Sequence, residues 1–404
     1  MKLDKLKFLS YRLLALFGKF LLSLVINKEF LSEDVVNYSY LMSILVFSVY
    51  LFNFELSSIL SRDYYSKGKN KRLIRFNVEY VIVSSIFGFL VLLSYLYGVF
   101  DFKVTFLISS LYVLEYYNKD FERVLMIRGQ RVASSESLFI RSFLPSTLSS
   151  LLVMIYGVGI SSVIGCLLVF NIFSFFKNSI LFKSKLPVLF GTQRLNYKSI
   201  KKYIKMSFPC FLSIMIVKTV FILDKEAVFR LELDKDLAAA YMVFFSFSFL
   251  ILTFNEIFVF SVGFPKILLM SSSGDKLELY RENRKILKKT IIMSVFSLFF
   301  IGFSVLAFIK ISGKDVYLEF VYLFFILSSA FVLYSISQVY RNLYFCLGKE
   351  RLILEQGLLL LIIFSFLFFI LHYINLSIVI SICFSLFFSM VVVLIRYIGY
   401  KYEN

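Results

Sequence analysis

Apolar runs close to twenty residues long recur from one end of this 404-residue chain to the other. A helix needs about 20 such residues to cross a hydrocarbon core about 30 Å thick. Twelve spans can be read, at about 8–27, 36–59, 77–99, 104–121, 138–157, 160–181, 207–227, 238–262, 290–310, 317–339, 353–373 and 376–396. The runs are continuously apolar, which argues against a membrane β-barrel, whose strands alternate inward polar and outward apolar residues. Apolar residues make up 59% of the chain, against roughly 45–50% in soluble domains. The expected fold class is an all-α integral membrane protein. The basic, then apolar, N-terminus resembles a signal peptide, but Arg12 and Lys19 interrupt the apolar stretch and no small-residue cleavage site follows. It reads as a retained first helix.

The net charge of +18 could suggest a nucleic-acid partner, but its distribution points elsewhere. With the N-terminus placed in the cytoplasm, 36 of the 44 Lys and Arg residues fall on or beside cytoplasmic segments and seven on the opposite side, with Lys218 inside a span. That asymmetry follows the positive-inside rule and puts both termini in the cytoplasm. The basic balance is therefore topology, and no nucleic acid is expected.

The chain also repeats itself. At an offset of 202, Asp34 aligns with Asp236 and Phe52–Asn53 with Phe254–Asn255; at 213, NKRLIR (70–75) aligns with NRKILK (283–288). At 219, Ser109–Ser110 aligns with Ser328–Ser329 and Gly129 with Gly348. Both increases in offset can be placed in loops, around 266–282 and 311–316, as structural repeats require. Two six-helix halves are expected, 1–200 with a basic cytoplasmic linker and 201–404. An even number of spans per half makes the repeats parallel, and two such bundles would leave a cleft able to face either side in turn.

Ionisable groups inside a span cost roughly 2.5–3.5 kcal/mol on insertion scales, and they usually face a cavity. Lys5, Arg12 and Lys19 recur every seven residues on one stripe of the first helix. Snorkelling suits Lys5 and Arg12, but Lys19 lies about 16 Å deep if the span starts near residue 8. Lys218 repeats the design, eighteen residues before Asp236 as Lys19 is fifteen before Asp34. Two readings stand: Lys19 and Lys218, with Arg141 and Arg12, line a cationic cavity, or each lysine pairs with a buried carboxylate such as Glu55, Glu115 or Glu256. Glu115 lies four residues before Lys119, the favourable order for a helix pair. Glu55 and Glu256 flank the duplicated Asn53 and Asn255 and would either bind a coupling ion or bond between helices. Asp224 is placed near the outer end of its helix, facing Lys225 or water, and His372 at an outer helix end.

Gly129 and Gly348 read as left-handed caps or tight inner turns, and Pro209 and Pro265 as residues at helix ends. Phosphate-loop, zinc-protease and serine-hydrolase motifs are lacking.

The length, the twelve spans in two halves, the inner-end segments RVLMIRGQ and NLYFCLGK, and the stretch FPCFLSIMIVKTVFILDKEAVFRLELDKDLAAAY with Pro209, Asp224 and Tyr241 are similar to the Wzx-type polysaccharide-transport flippases. These belong to the multidrug/oligosaccharidyl-lipid/polysaccharide (MOP) exporter superfamily, which includes the MATE transporters. The resemblance implies a MATE-like fold and flipping of undecaprenyl-diphosphate-linked oligosaccharide across the bacterial inner membrane for O-antigen, lipopolysaccharide or capsule assembly. It implies a cationic central cavity, matched here by Lys19, Lys218, Arg12 and Arg141. Coupling to H+ or Na+ would fall to Glu55, Glu256 or Asp224, with no other cofactor or metal. Implied partners are the lipid-linked substrate, membrane lipids, and a polymerase and chain-length regulator of the same pathway. A multidrug or small-solute antiporter is the alternative. A glycan polymerase is less well matched, because the longest outer segment, roughly 228–237, is too short for a catalytic domain.

Overall fold

A computed structural model describes residues 2–53, 71–127, 129–185, 197–232, 234–273, 276–374 and 376–402. Its first six long helices are α1 (Lys2–Glu29), α2 (Ser32–Leu51), α3 (Lys71–Leu96), α4 (Phe102–Ile127), α5 (Arg131–Tyr156) and α6 (Ile160–Lys185). Then come α7 (Tyr197–Leu231), α8 (Lys235–Asn255), a π-helical turn (Glu256–Phe260), α9 (Ser261–Ser273) and α10 (Lys276–Ser312). The short α11 (Val316–Glu319) precedes α12 (Val321–Cys346), α13 (Glu350–Tyr373) and α14 (Ile378–Tyr402). Since α8, the π turn and α9 form one continuous passage, each half contributes six long passages among the described residues. Among the described residues, ten helical segments are long and apolar enough to cross a membrane. The other two passages are α3, whose apolar part is Tyr80–Leu96, and α4, which carries Glu115, Lys119, Asp120, Glu122 and Arg123. The protein is a multi-pass, all-helical membrane protein.

The sequence repeat is a repeat of structure. Adding 219 to the bounds of α4 gives those of α12, and adding it to the start of α5 gives the start of α13. The turn between each pair is also the same. Gly129 (φ 78°) and Gly348 (φ 71°) are both left-handed. Gly129 N–H donates to Met126 O and Gln130 N–H to Leu125 O, while Gly348 N–H donates to Phe345 O and Lys349 N–H to Tyr344 O. All four bonds obey the same offset and form a Schellman cap, which needs a residue without a Cβ at the left-handed position. Open space surrounds Gly348, so Gly348→Ala should destabilise through backbone strain alone, by about 1–2 kcal/mol. Thermal unfolding of the purified variant checks this, with Gly399→Ala in a regular helix as the neutral comparison.

By contact the chain forms two compact units: Met1–Phe30 with Leu41–Phe208, and Leu31–Tyr40 with Pro209–Asn404. The change of unit near 208 lies inside α7, and α2 begins in the second unit and ends in the first. In the first unit α1 packs along α5, where Ser135, one of several small buried residues of α5, receives Arg12. Small residues let helix backbones approach where lipid supplies no hydrophobic drive. In the second unit α8 is central, with Leu237 through Phe245 all buried and packed against α10 and α12.

Pro209 and Pro265 are not at helix ends. Pro209 lies inside α7 and Pro265 inside α9. A proline removes one ladder bond and crowds the carbonyl four residues back; Pro265 follows directly on the widened π turn, where Ser261 N–H bonds Glu256 O. The ladder is thus already displaced where the proline enters.

Candidate functional site

Within the first unit, α4, α5 and α1 bring four charged side chains together. Arg141 on α5 is 5% exposed. Its Nε and one terminal nitrogen donate to the two carboxylate oxygens of Glu122 on α4, both at 2.8 Å. The other terminal nitrogen donates to Glu115, also on α4. A fork-to-fork Arg–carboxylate pair is the strong, directional form of this contact. Glu115 and Glu122 are seven residues apart, two helical turns, and so project from one face of α4 towards Arg141. The Glu115 carboxylate thus receives Arg141 and is also acted on by Lys119, the helix partner that the sequence suggested; Lys119 stands 4.7 Å over the Tyr50 ring.

Lys19 approaches this cluster from α1. It lies within electrostatic reach of Glu115, Arg141 and Glu122 and yet is exposed. Its neighbour Gly18 explains how α1 comes so close: a methyl group there would sit 2.8 Å from Phe143 Cα and 3.2 Å from Phe143 O. Lys19 sits thirteen residues after the start and ten before the end of the span Leu6–Glu29, near its middle. Arg141's charge is closed off by two carboxylates, so Lys19 is the cation of this cluster with accessible surface. Arg12, one stripe position earlier, donates to Ser135 Oγ at 3.3 Å and lies 4.8 Å over Phe8.

Where α2 ends, another polar group is satisfied from a distance. The Phe52 carbonyl accepts from Tyr80 and Tyr116 hydroxyls, each at 3.0 Å, supplying partners that a helix C-terminus lacks. Asn53 follows, buried, and its counterpart Asn255 donates to Ile251 O at 3.0 Å and to Ser294 Oγ at 2.9 Å. Both asparagines mark the point where regular helix gives way, to a turn after Leu51 and to the π turn after Asn255.

In the second unit Lys218 lies at the middle of the span Ile204–Leu231, half-buried, 5.9 Å over Phe221 and 5.7 Å over Phe249. Lys225, seven residues on, stands 4.1 Å over Phe245. A cation over an aromatic face is attracted by the ring quadrupole. Sequence reasoning assigned Lys225 to the outer side, although its seven-residue spacing from Lys218 reproduces that of Arg12 and Lys19. Asp224 is fully buried and not in water: Tyr241 donates its hydroxyl at 2.8 Å and the Lys225 backbone N–H donates at 2.5 Å.

Glu256 opens the π turn, is exposed, and acts electrostatically on Tyr334. Glu55 lies outside the described residues. His372 is exposed and stacks on Phe368 at 6.0 Å. Lys19, Arg141, Glu115 and Glu122 are therefore one cluster, whereas Arg12, Asp224 and Glu256 each have separate surroundings.

No protein-family model matches the chain, and no curated protein matches it. Solved structures do. One is an inward-facing conformation of a multidrug resistance MATE family transporter of the MOP superfamily, with a TM-score of 0.69 at 12% identity over 96% of this chain and 93% of that one. A mutant of the Vibrio cholerae MATE transporter VcmN matches with a TM-score of 0.69 at 12% identity, over 99% of this chain and 96% of that chain. A MATE in the bent conformation matches with a TM-score of 0.66 at 12% identity, over 98% and 94%. The chain therefore has the fold of the MATE transporters of the MOP superfamily.

Proposed function

We propose that this chain is a transporter that flips undecaprenyl-diphosphate-linked oligosaccharide repeat units across the bacterial inner membrane, for O-antigen or capsular polysaccharide assembly. The observation that carries the reading is Lys19, a mid-span ammonium that keeps accessible surface beside a cluster whose other cation, Arg141, is closed off. A diphosphate drawn into a low-dielectric interior loses hydration worth several kcal/mol per ion, and a cation at mid-span offsets that loss. Lys218 supplies a second mid-span ammonium, held by aromatic faces. The remaining step needs an energy source. A coupling H+ or Na+ is assigned to the carboxylates outside the Arg141 cluster, Asp224 and Glu256, together with Glu55. Both termini are cytoplasmic in this reading, and a polymerase and chain-length regulator act on the delivered product.

A multidrug antiporter is the second reading, since one of the matching structures is a multidrug resistance transporter. Mid-span lysines favour an anionic cargo over cationic drugs.

Charge reversal separates the two. Lys19→Glu and Lys218→Glu should each lower surface glycan at least tenfold and cause lipid-linked repeat units to accumulate on the cytoplasmic side. Lys→Arg at either position should retain most transport. Normal glycan in cells whose only copy carries both reversals, with the protein present at wild-type level, would defeat the proposal. Drug susceptibility that rises in the deleted strain while glycan stays normal would favour the antiporter.

A further inference from the structure

Helix α10 has 37 residues, or about 55 Å of rise, against about 30 Å of hydrocarbon. Its exposure pattern locates the excess. From Ile291 to Ile311 one face is exposed and apolar but for Lys310 near its far end, and includes Ile292 at 69%, Phe296 at 60%, Phe299 at 75% and Phe303 at 76%. Twenty rises over that stretch make about 30 Å, one hydrocarbon thickness. The preceding four turns therefore project beyond the hydrocarbon. Their inner side, Leu279, Asn283 and Ile286, is buried, with Ile286 packed against Gly263 of α9. Their outer side continues the exposed apolar face but changes chemistry: Arg281, Arg284, Lys285 and Lys288 are all exposed there. At 100° per residue these four fall on the same side as Ile292, Val295 and Phe299.

Glu282 bonds Lys285 at 2.9 Å. Among the described residues, no carboxylate is recorded within ion-pair distance of Arg281, Arg284 or Lys288. Along the axis Lys288 lies about 5 Å from the start of the apolar face, Arg284 about 10 Å and Arg281 about 15 Å. The headgroup layer is about 5–7 Å thick on each side, and charges beyond it still act across a Debye length of about 8 Å. So Lys288 stands at phosphate level, and the two arginines lie above it within electrostatic range.

We propose that this basic face of α10 is a docking surface for the phosphate groups of anionic phospholipids in the leaflet it emerges from. Continuity with the lipid-facing apolar face singles out a lipid as occupant over a free anion: acyl chains lie along Ile292, Phe296 and Phe299 while the phosphate meets Lys288 and Arg284. The inference stands independently of the transported cargo.

The test uses the full-length chain in detergent and short-chain dihexanoyl lipids as probes. Each basic residue near an anionic surface strengthens binding about fivefold. Dihexanoyl phosphatidylglycerol should therefore bind the wild type at least tenfold tighter than dihexanoyl phosphatidylcholine, with a preference that falls as salt is raised. The preference should vanish in R281Q/R284Q/K285Q/K288Q and survive in R281K/R284K. If the fourfold variant does not fold, R284Q/K288Q should still reduce the preference at least threefold. Equal phosphatidylglycerol binding by wild type and the glutamine variants overturns the proposal. So does inorganic phosphate binding as tightly as the lipid, because the site would then be one for free anions.

Discussion

Arg141→Gln should cost about 3–5 kcal/mol of stability, the loss expected when one partner of a buried ion pair is removed and the other charge remains. The reason lies in the geometry. Arg141 is 5% exposed and is the shared partner of Glu122 and Glu115. Without it two carboxylates on one face of α4 confront each other inside the first unit, with Lys119 and Lys19 as the other cations recorded acting on Glu115. Glu122→Gln alone should be damaging too, but Arg141→Gln with Glu122→Gln should recover a measurable part of the loss, because both ends of the bidentate bond become neutral. A double-mutant cycle on thermal unfolding in detergent, with Glu115 left intact, measures that coupling. Strict additivity of the two single changes would show that the pair does not act as a unit.

Gly18→Leu is expected to be the other severe change. Even a methyl group at Gly18 meets Phe143 Cα at 2.8 Å and Phe143 Cδ2 at 3.1 Å, and backbone cannot rotate away as a side chain tip can. Overpacking of a tight interface costs about 1–3 kcal/mol, and the larger side chain should reach or pass the upper end by pushing α1 off α5. Lys19 is the next residue, so the same displacement carries its ammonium away from Glu115 and Arg141. The expected result is therefore a lower unfolding temperature and lost transport together, with Gly18→Ala intermediate in both. Gly165→Ala on α6, where the surrounding space is open, should leave transport intact and raise stability by up to about 1 kcal/mol. A Gly18→Leu protein as stable and active as wild type would mean that α1 does not need this close approach.

The two changes probe different kinds of information in the chain. Arg141 was recognisable from its sequence as a charge in a span, and it was grouped with Lys19, Lys218 and Arg12 as a cation for the cargo. Its partners are 19 and 26 residues away on another helix, and no spacing rule joins them. Local spacing found Lys119, which does act on Glu115, but could not find Arg141. Asp224 shows both sides of this limit: the adjacent Lys225 that the sequence offered does meet it, whereas Tyr241 reaches it from the next helix. Lys225 is a different case: its seven-residue spacing from Lys218 was visible, but its place over the Phe245 ring was not.

What the amino-acid order determined by itself was everything local or periodic. Hydropathy over twenty residues set the spans, because lipid forces each segment to satisfy its own backbone. Self-similarity was legible too, and its offset of 219 carries through helix ends and the Gly129 and Gly348 caps. Only the tertiary structure decided which buried charges neutralise one another. Coulombic partners are chosen by distance in space, and helices that meet side by side bring together residues whose separation along the chain carries no signal.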